Sequence, residues 1–346
     1  MAVKIFLTGV TGYIAGDAFS VLQSKHPEYE YAVLVRSKEK GELVEKAYPG
    51  TRIVIGDLDN SDVLKQEAST ADIVLRGCGR CLRPRGRCQG HRGWHGRGSQ
   101  RDHPGFWLHT GGTGILTWED AETGRLGEHS DKEYNDWDGV EELTSLPDSA
   151  FHRNVDKIVL EAGTKHSKIL KTALVCPPTI YGRGRGPVAV RSRQAYELTK
   201  LILNEKYVPV IGAGNARWNH VHVSDLSQLF LLLVEAAAAC KLDAELWGER
   251  GYYLCESGEH VWTELAEKIA KDAEELGFVN KLEKKDLTRQ AALDVAGFEA
   301  VSWGLNSRGK AERARKLLNW KPSARSIEQE APEIVKDEHA RLTGGS

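Results

Sequence analysis

A doubly wound parallel α/β sheet followed by a smaller, mostly helical lobe is the fold class predicted by this 346-residue sequence, and three observations carry it. Strand-like and helix-like patterns alternate from the first residues onward. The strand-like runs are continuously apolar, which requires helices over both faces of the sheet they form. A glycine-rich turn follows the first run directly and opens a helix, the arrangement that brings bare main-chain amides to the carboxyl edge of a parallel sheet.

The elements read in order as follows. Val3–Thr8 is the first strand, and a helix-like stretch runs from the glycine turn to Lys25. Tyr31–Arg36, Arg52–Gly56, Asp72–Leu75, Phe106–Thr110 and Lys171–Val175 repeat the short apolar strand signal, with a helix expected over Asn154–Lys165. From Pro177 the texture changes to Pro, Gly and Arg loops. Amphipathic helices are then expected over Arg191–Glu205, Asp225–Ala239, Trp262–Leu276 and Ser307–Leu318. The division predicted is a dinucleotide-binding domain over 1–176 and a substrate lobe over 177–346, with 217–240 returning to the first domain.

Bulk properties exclude several classes. Lys+Arg 47 against Asp+Glu 49 gives a formal charge of -2, so no global field recruits nucleic acid or an anionic membrane. MAVKIFLTG is too short an apolar run for a secretory core, and about 18 consecutive apolar residues occur nowhere. A cytoplasmic protein with a small-molecule substrate is expected, without nucleic-acid or membrane partners and compatible with a homodimer. Cys176, Cys240 and Cys255 stand far apart and read as buried thiols of a reducing compartment.

Residues 76–103 do not share this texture. They hold Cys78, Cys81, Cys88 and His91 in paired spacing, eight Arg with interleaved Gly, and no Lys. Three readings are open: a zinc module, with pairs too close for most structural zinc loops; an arginine–glycine arm for nucleic acid; or a compensated frameshift. The third accounts for the composition itself, because reading compatible codons one nucleotide later permits an alanine-rich, apolar-faced helix. That helix is the crossover a parallel sheet needs at this place.

In TGVTGYIAG, Gly9 permits the tight turn, and Gly12 lets the main chain approach a pyrophosphate at the helix start. This stretch resembles the glycine loop of the extended short-chain dehydrogenase/reductases, the epimerase/dehydratase-like Rossmann family, with Ala15 where the third glycine usually falls. GDLDN, LVCPPTIYGRGRG, NHVHVSDLSQLFLLLVEAA and SWGLNSRGKAERARKLLNWKP extend the resemblance over most of the chain. It implies coenzyme contacts at Gly9, Thr11, Gly12, Tyr13 and Ile14, at Asp57 and Leu58 near the adenine, and at Pro177 and Thr179 beside the nicotinamide. Arg36 ends the second strand where NAD-preferring enzymes place an acid, so NADP is the expected coenzyme, with NAD the alternative.

The family's chemistry uses a Ser or Thr after the fifth strand and a Tyr four residues before a Lys. FHRNVDKIVLEAG is similar to the helix that carries this pair. Lys157 matches the Lys, but Arg153 stands where the Tyr belongs and cannot give up a proton. The neighbouring His152 is the substitute candidate. After the fifth strand the hydroxyls available are Thr110 and Thr113, with Gly111 and Gly112 in the usual serine neighbourhood. The catalytic set expected is Thr113, His152 and Lys157, with Tyr181, Arg185 and His220 facing substrate. His220 and His222 share one strand face without a helical His pair or carboxylate cluster, so no metal centre is expected. The function expected is an NAD(P)-dependent oxidoreductase or epimerase/dehydratase-like enzyme. The alternative is an NAD(P)-binding sensor without turnover.

Overall fold

The computed structural model describes residues 2–77 and 103–344. The zinc, arginine-arm and frameshift readings rest on 78–102 and lie outside the described residues. The N-terminal unit runs β1 (Lys4–Thr8), α1 (Tyr13–Lys25), β2 (Glu30–Val35), α2 (Lys38–Ala47), β3 (Arg52–Ile55), α3 (Ser61–Thr70), β4 (Ile73–Arg76) and β5 (Gly105–Thr110). It continues through α4 (Trp118–Thr123), β6 (Tyr134–Asn135), α5 (Val140–Thr144), α6 (Arg153–Lys165) and β7 (Leu170–Cys176). Beyond Pro177 come β8 (Thr179–Tyr181), α7 (Gln194–Glu205), β9 (Val208–Ile211), β10 (Arg217–His222), α8 (Val223–Ala238), β11 (Tyr252–Leu254) and β12 (Gly258–Val261). The chain ends in α9 (Trp262–Glu275), β13 (Lys284–Leu287), α10 (Arg289–Ser302), β14 (Gly309–Lys310), α11 (Arg313–Leu318) and α12 (Ile327–Leu342).

Seven strands form one sheet in the order β11-β7-β5-β4-β1-β2-β3, every pair parallel. The chain winds one way from β1 to β3 and the other way from β4 to β11. The carboxyl ends of β1 and β4 therefore flank a crevice, the place where such sheets hold ligands. The strands are apolar along both faces because both are covered: Ile5, Phe6, Leu7, Val33, Leu75, Phe106 and Leu108 are all buried. Local caps fix where helices start. Ser37 Oγ accepts from Lys40 N, Asn60 Oδ1 from Val63 N, and Ser326 with Gln329 forms a reciprocal capping box on α12.

A second core gathers α7, α9, α10 and α12 around Trp218, Trp262 and Trp303. This lobe is less helical than its composition suggests. It contains a three-stranded sheet ordered β12-β10-β8, and β9 pairs with β13. α8 leaves that lobe and packs on α1, placing Leu226, Leu229, Phe230 and Leu233 in the first core.

The expected helix over Ser307–Leu318 begins only at Arg313. The preceding residues are extended: Ser307 N donates to Arg217 O, and β14 pairs with β6. Asp136 accepts from Glu312 N and Arg313 N and so fixes the helix start. Long-range pairing overrode a local helical pattern. β11 completes the large sheet as a three-residue strand that no periodicity announced.

Candidate functional site

The turn after β1 is built from main chain. Gly9 has φ of 84°, and a Cβ there would lie 2.9 Å from the Gly77 carbonyl oxygen. Gly12 N donates to Gly9 O at 2.8 Å, and Gly12 caps α1 without any side-chain hydrogen bond to the first-turn amides. Gly77, at the exit of β4, leaves no room for a side chain, since its Cβ would fall 2.1 Å from that of Ala15. Ala15 thus brings helix and strand together as a third glycine would. Gly16 closes the other side, where a Cβ would meet Val10 O at 2.8 Å.

Several buried hydroxyls stand at the carboxyl edge of the sheet. Thr8, Thr110, Thr113 and Thr179 all carry a buried Oγ1 with no hydrogen-bond partner among the described residues. Buried polar groups are normally paired, so unpaired hydroxyls lining a crevice fit a polar ligand. Together with the uncapped α1 terminus and the glycine turn, they fit a dinucleotide whose diphosphate lies against main-chain amides.

Pro177, leaving β7, accepts from Thr113 N at 3.0 Å, and Ser307 Oγ donates to Thr113 O at 2.7 Å. Thr113 starts a short 3₁₀ turn, Thr113–Thr117, directly after β5. His152, the residue before α6, adopts φ of 72°, a left-handed backbone that non-glycine residues rarely take. That conformation sets its ring against the turn. A Cβ on Gly112 would lie 3.2 Å from His152 Nε2, and one on Gly114 would lie 3.8 Å from His152 Cδ2. Burial pushes the His152 pKa down to about 4, so the imidazole is neutral at neutral pH. Thr113, His152 and Pro177 are thus brought together.

Other expected site residues have different partners. Arg185 is committed to Asp17 of α1, donating from N, Nε and Nη2 at 2.7, 3.0 and 2.6 Å. Tyr181 donates from its hydroxyl to Arg325 O at 2.7 Å and is packed between the His220 and His222 rings. His220 is buried, with Nδ1 3.1 Å from His260 Nδ1, and burial lowers its pKa to about 4. Lys157 Nζ lies 2.6 Å from Asp148 Oδ1 on the partly exposed flank of α6. Arg153 turns inward and donates from Nη2 to Thr144 O at 2.6 Å, tying α6 to the end of α5.

On the coenzyme side, Tyr13 donates to Tyr181 O and to Gly182 O, at 3.1 and 2.6 Å, and so clamps the 181–182 loop to the turn. Thr11 lies in the turn between Gly9 and Gly12, and Ile14 packs on the first core. Asp57 Oδ1 accepts from Asp59 N and Asn60 N, and Leu58 is packed against the core beside it. Arg36 is exposed at the carboxyl end of β2, one residue before the α2 cap.

Asp17 was not anticipated. It is fully buried and also accepts from Ser227 Oγ at 2.6 Å. Burial alone would raise its pKa, but the bonds from Arg185 and Ser227 more than offset this and hold it below the usual carboxylate value. The available signal was an acid within the apolar positions of α1. A cavity of about 320 Å³ lined by Lys4, Tyr31, Arg52 and Glu67 lies at the amino ends of β1 to β3, away from this crevice.

Comparison with known proteins places this geometry. Residues 149–242 match the NAD dependent epimerase/dehydratase family. The chain is 36% identical over 348 residues to the oxidase ucsJ of Acremonium sp, covering 99% of each chain. Among solved structures, UDP-glucose 4-epimerase from Thermotoga maritima, determined with UDP-glucose, is similar with a TM-score of 0.65 at 14% identity, covering 98% of this chain and 99% of that one. DesIV, a dTDP-glucose 4,6-dehydratase from Streptomyces venezuelae with NAD and TYD bound, gives 0.66 at 15% identity, over 99% and 98% of the two chains. At such identities these structures show a shared fold.

Proposed function

Because the chain belongs to the NAD-dependent epimerase/dehydratase family, we propose that it is an NAD(P)-dependent oxidoreductase or epimerase/dehydratase-like enzyme acting on a small carbonyl or hydroxyl substrate. The observation that carries this reading is the turn from Gly9 to Gly12 at the β1–β4 crevice, with no side chain tolerated at Gly9 and an uncapped helix start behind it, backed by unpaired hydroxyls. A nicotinamide coenzyme held there would supply the hydride chemistry.

The chain's own residues supply the rest. The main-chain amides of Tyr13 and Ile14 at the uncapped α1 start would meet the diphosphate. Asp57 and Leu58 border the adenine end, while Pro177 and Thr179 border the nicotinamide end. Arg36, exposed at the end of β2, would pair with a ribose 2′-phosphate, which favours NADP over NAD. Thr113 and His152 hold the substrate oxygen. Neutral at working pH, His152 acts through a hydrogen bond and passes the proton by way of water. Lys157 contributes to coenzyme positioning only when its pair with Asp148 opens, so the chemical burden falls on His152 and Thr113.

Calorimetric titration with NADP⁺ and NAD⁺, followed by NADPH oxidation across a carbonyl panel, tests the reading. Thr113→Ala and His152→Ala should each lower kcat by about 100-fold, a usual contribution of one positioned proton-handling group, with coenzyme affinity retained. Absence of binding by either coenzyme to folded protein would sink the reading. A second reading, a non-catalytic NAD(P) sensor, draws on one observation: Arg153 occupies the family's tyrosine position and is bound to Thr144. Tight NADPH binding without oxidation by any carbonyl favours that sensor.

A further inference from the structure

The outer wall of the candidate site is aromatic. The Phe151 ring lies 4.1 Å from the His152 ring and 5.6 Å from that of Phe298, centroid to centroid. A line of rings therefore runs from the turn after β5 to the surface. Phe298 is 54% exposed, an unusual state for a phenylalanine, and Leu293 and Val295 on the same helix are also exposed. An exposed aromatic ring packed on one beside the candidate site offers a contact surface to an apolar ligand. α10 is broken just before Phe298, where Ala296 and Gly297 leave helical geometry and Gly297 takes φ of 63°. The next residue, Glu299, is paired with Arg193 at the start of α7. The break and the ion pair together present Phe298 to Phe151.

Among the described residues, the arginines of the strip beside this wall are already engaged. Arg183 pairs with Asp337, Arg185 with Asp17, Arg191 with Glu338 and Glu197, and Arg193 with Glu299. Asp17 is buried, so withdrawing Arg185 to serve a phosphate would leave a buried carboxylate without its cation, and Arg191 already holds two carboxylates at once. A substrate bearing a diphosphate needs such cations free. The four arginines of the 183–193 strip are not.

We propose that the substrate is an uncharged, flat, apolar carbonyl or alcohol packed against the exposed side of the Phe151–Phe298 ring pair, and not a phosphate-bearing sugar. This rests on the coenzyme-dependent reading above. In the reductive direction, a ketone takes a hydride at carbon from NADPH and a proton at oxygen, giving the alcohol and NADP⁺.

The test uses the full chain saturated with NADP⁺, titrated calorimetrically with 2-acetonaphthone and separately with UDP-glucose. Saturable binding of the ketone, weakened about tenfold in Phe298→Ala and kept in Phe298→Tyr, supports the proposal. Turnover of the ketone with NADPH should show the same loss as a raised KM. Tighter binding of UDP-glucose than of the ketone overturns it, as does a Phe298→Ala protein that binds the ketone like the parent. Coenzyme titration of each sample comes first. It reports folding, and its failure would overturn the underlying reading rather than the choice of substrate class.

Discussion

Asp17 shows what one buried charge does in this molecule. Its carboxylate receives three bonds from Arg185 and one from Ser227, so a single side chain of α1 fastens both the loop after β8 and helix α8. Replacing it by Ala removes the acceptors but leaves a guanidinium that is half-exposed and can be rehydrated. The cost is therefore that of stranded hydrogen-bonding groups, about 1–3 kcal/mol, rather than that of a fully buried unpaired cation. Urea unfolding of Asp17→Ala at pH 7.5 should show a lowered midpoint with an unchanged slope. The loss should shrink in acid. A carboxylate whose folded pKa is depressed contributes stability above its unfolded pKa, and this is lost as pH falls through the folded value. A variant as stable as the parent at pH 7.5 would contradict the fastening role. His152 is a different case, since its left-handed backbone is strain held at a single position beside the candidate site.

The turn from β1 into α1 is the element on which coenzyme binding depends, and its geometry tolerates no side chain at Gly9. An Ala there would have to hold φ near 84° and press its Cβ toward the Gly77 carbonyl. The conformational penalty alone is about 1–2 kcal/mol. Gly9→Ala should lower Tm and weaken NADP⁺ binding at least tenfold by calorimetry; parental affinity would show that the turn does not carry the diphosphate. This element was readable from sequence because its signal is local: an apolar strand, spaced glycines and a helix start. The sheet strands were likewise placed within a residue or so, since continuous apolar runs of this length have few alternatives. Features set by distant partners were not readable. Arg185 looked available for substrate because Asp17 is 168 positions away, and His220 because its partner His260 comes 40 residues later. The false helix over Ser307–Glu312 and the unseen strand Tyr252–Leu254 share that cause, being fixed by pairing across the fold. Lys157 matched a motif by spacing, whereas its reach toward Asp148 depends on the loop before α6.

Across the whole molecule, the buried histidines set how stability depends on pH. His152, His220, His222 and His260 all have pKa values lowered by burial, to about 4 for the first two. Between pH 6.5 and 4 the unfolded chain binds protons at these sites that the folded chain refuses, so the folded state loses stability as pH falls through that window. Each fully depressed histidine contributes up to about 1.4 kcal/mol per pH unit, and less where solvent reaches it. Three of the described groups that matter in the acid range act in the opposite sense: His26, Asp136 and Asp337, whose carboxyl is raised by partial burial. His26 is bonded to Glu235 and Glu28, which outweigh its partial burial and raise its pKa, so its contribution is present below 6.5 and fades as pH rises above that. Burial raises Asp136 to about 6 despite the three amides it accepts, so protonation there favours the folded state between about 6 and 4. Four histidines against the two raised carboxyls, Asp136 and Asp337, leave the histidines dominant below pH 6. Unfolding free energy measured in urea should therefore fall steadily from pH 7 to pH 5. His220→Gln removes one of the four protons and should flatten that slope relative to the parent. An unchanged slope in this variant, or stability that rises toward pH 5, would show that the His220–His260 pair is not held neutral in the second core.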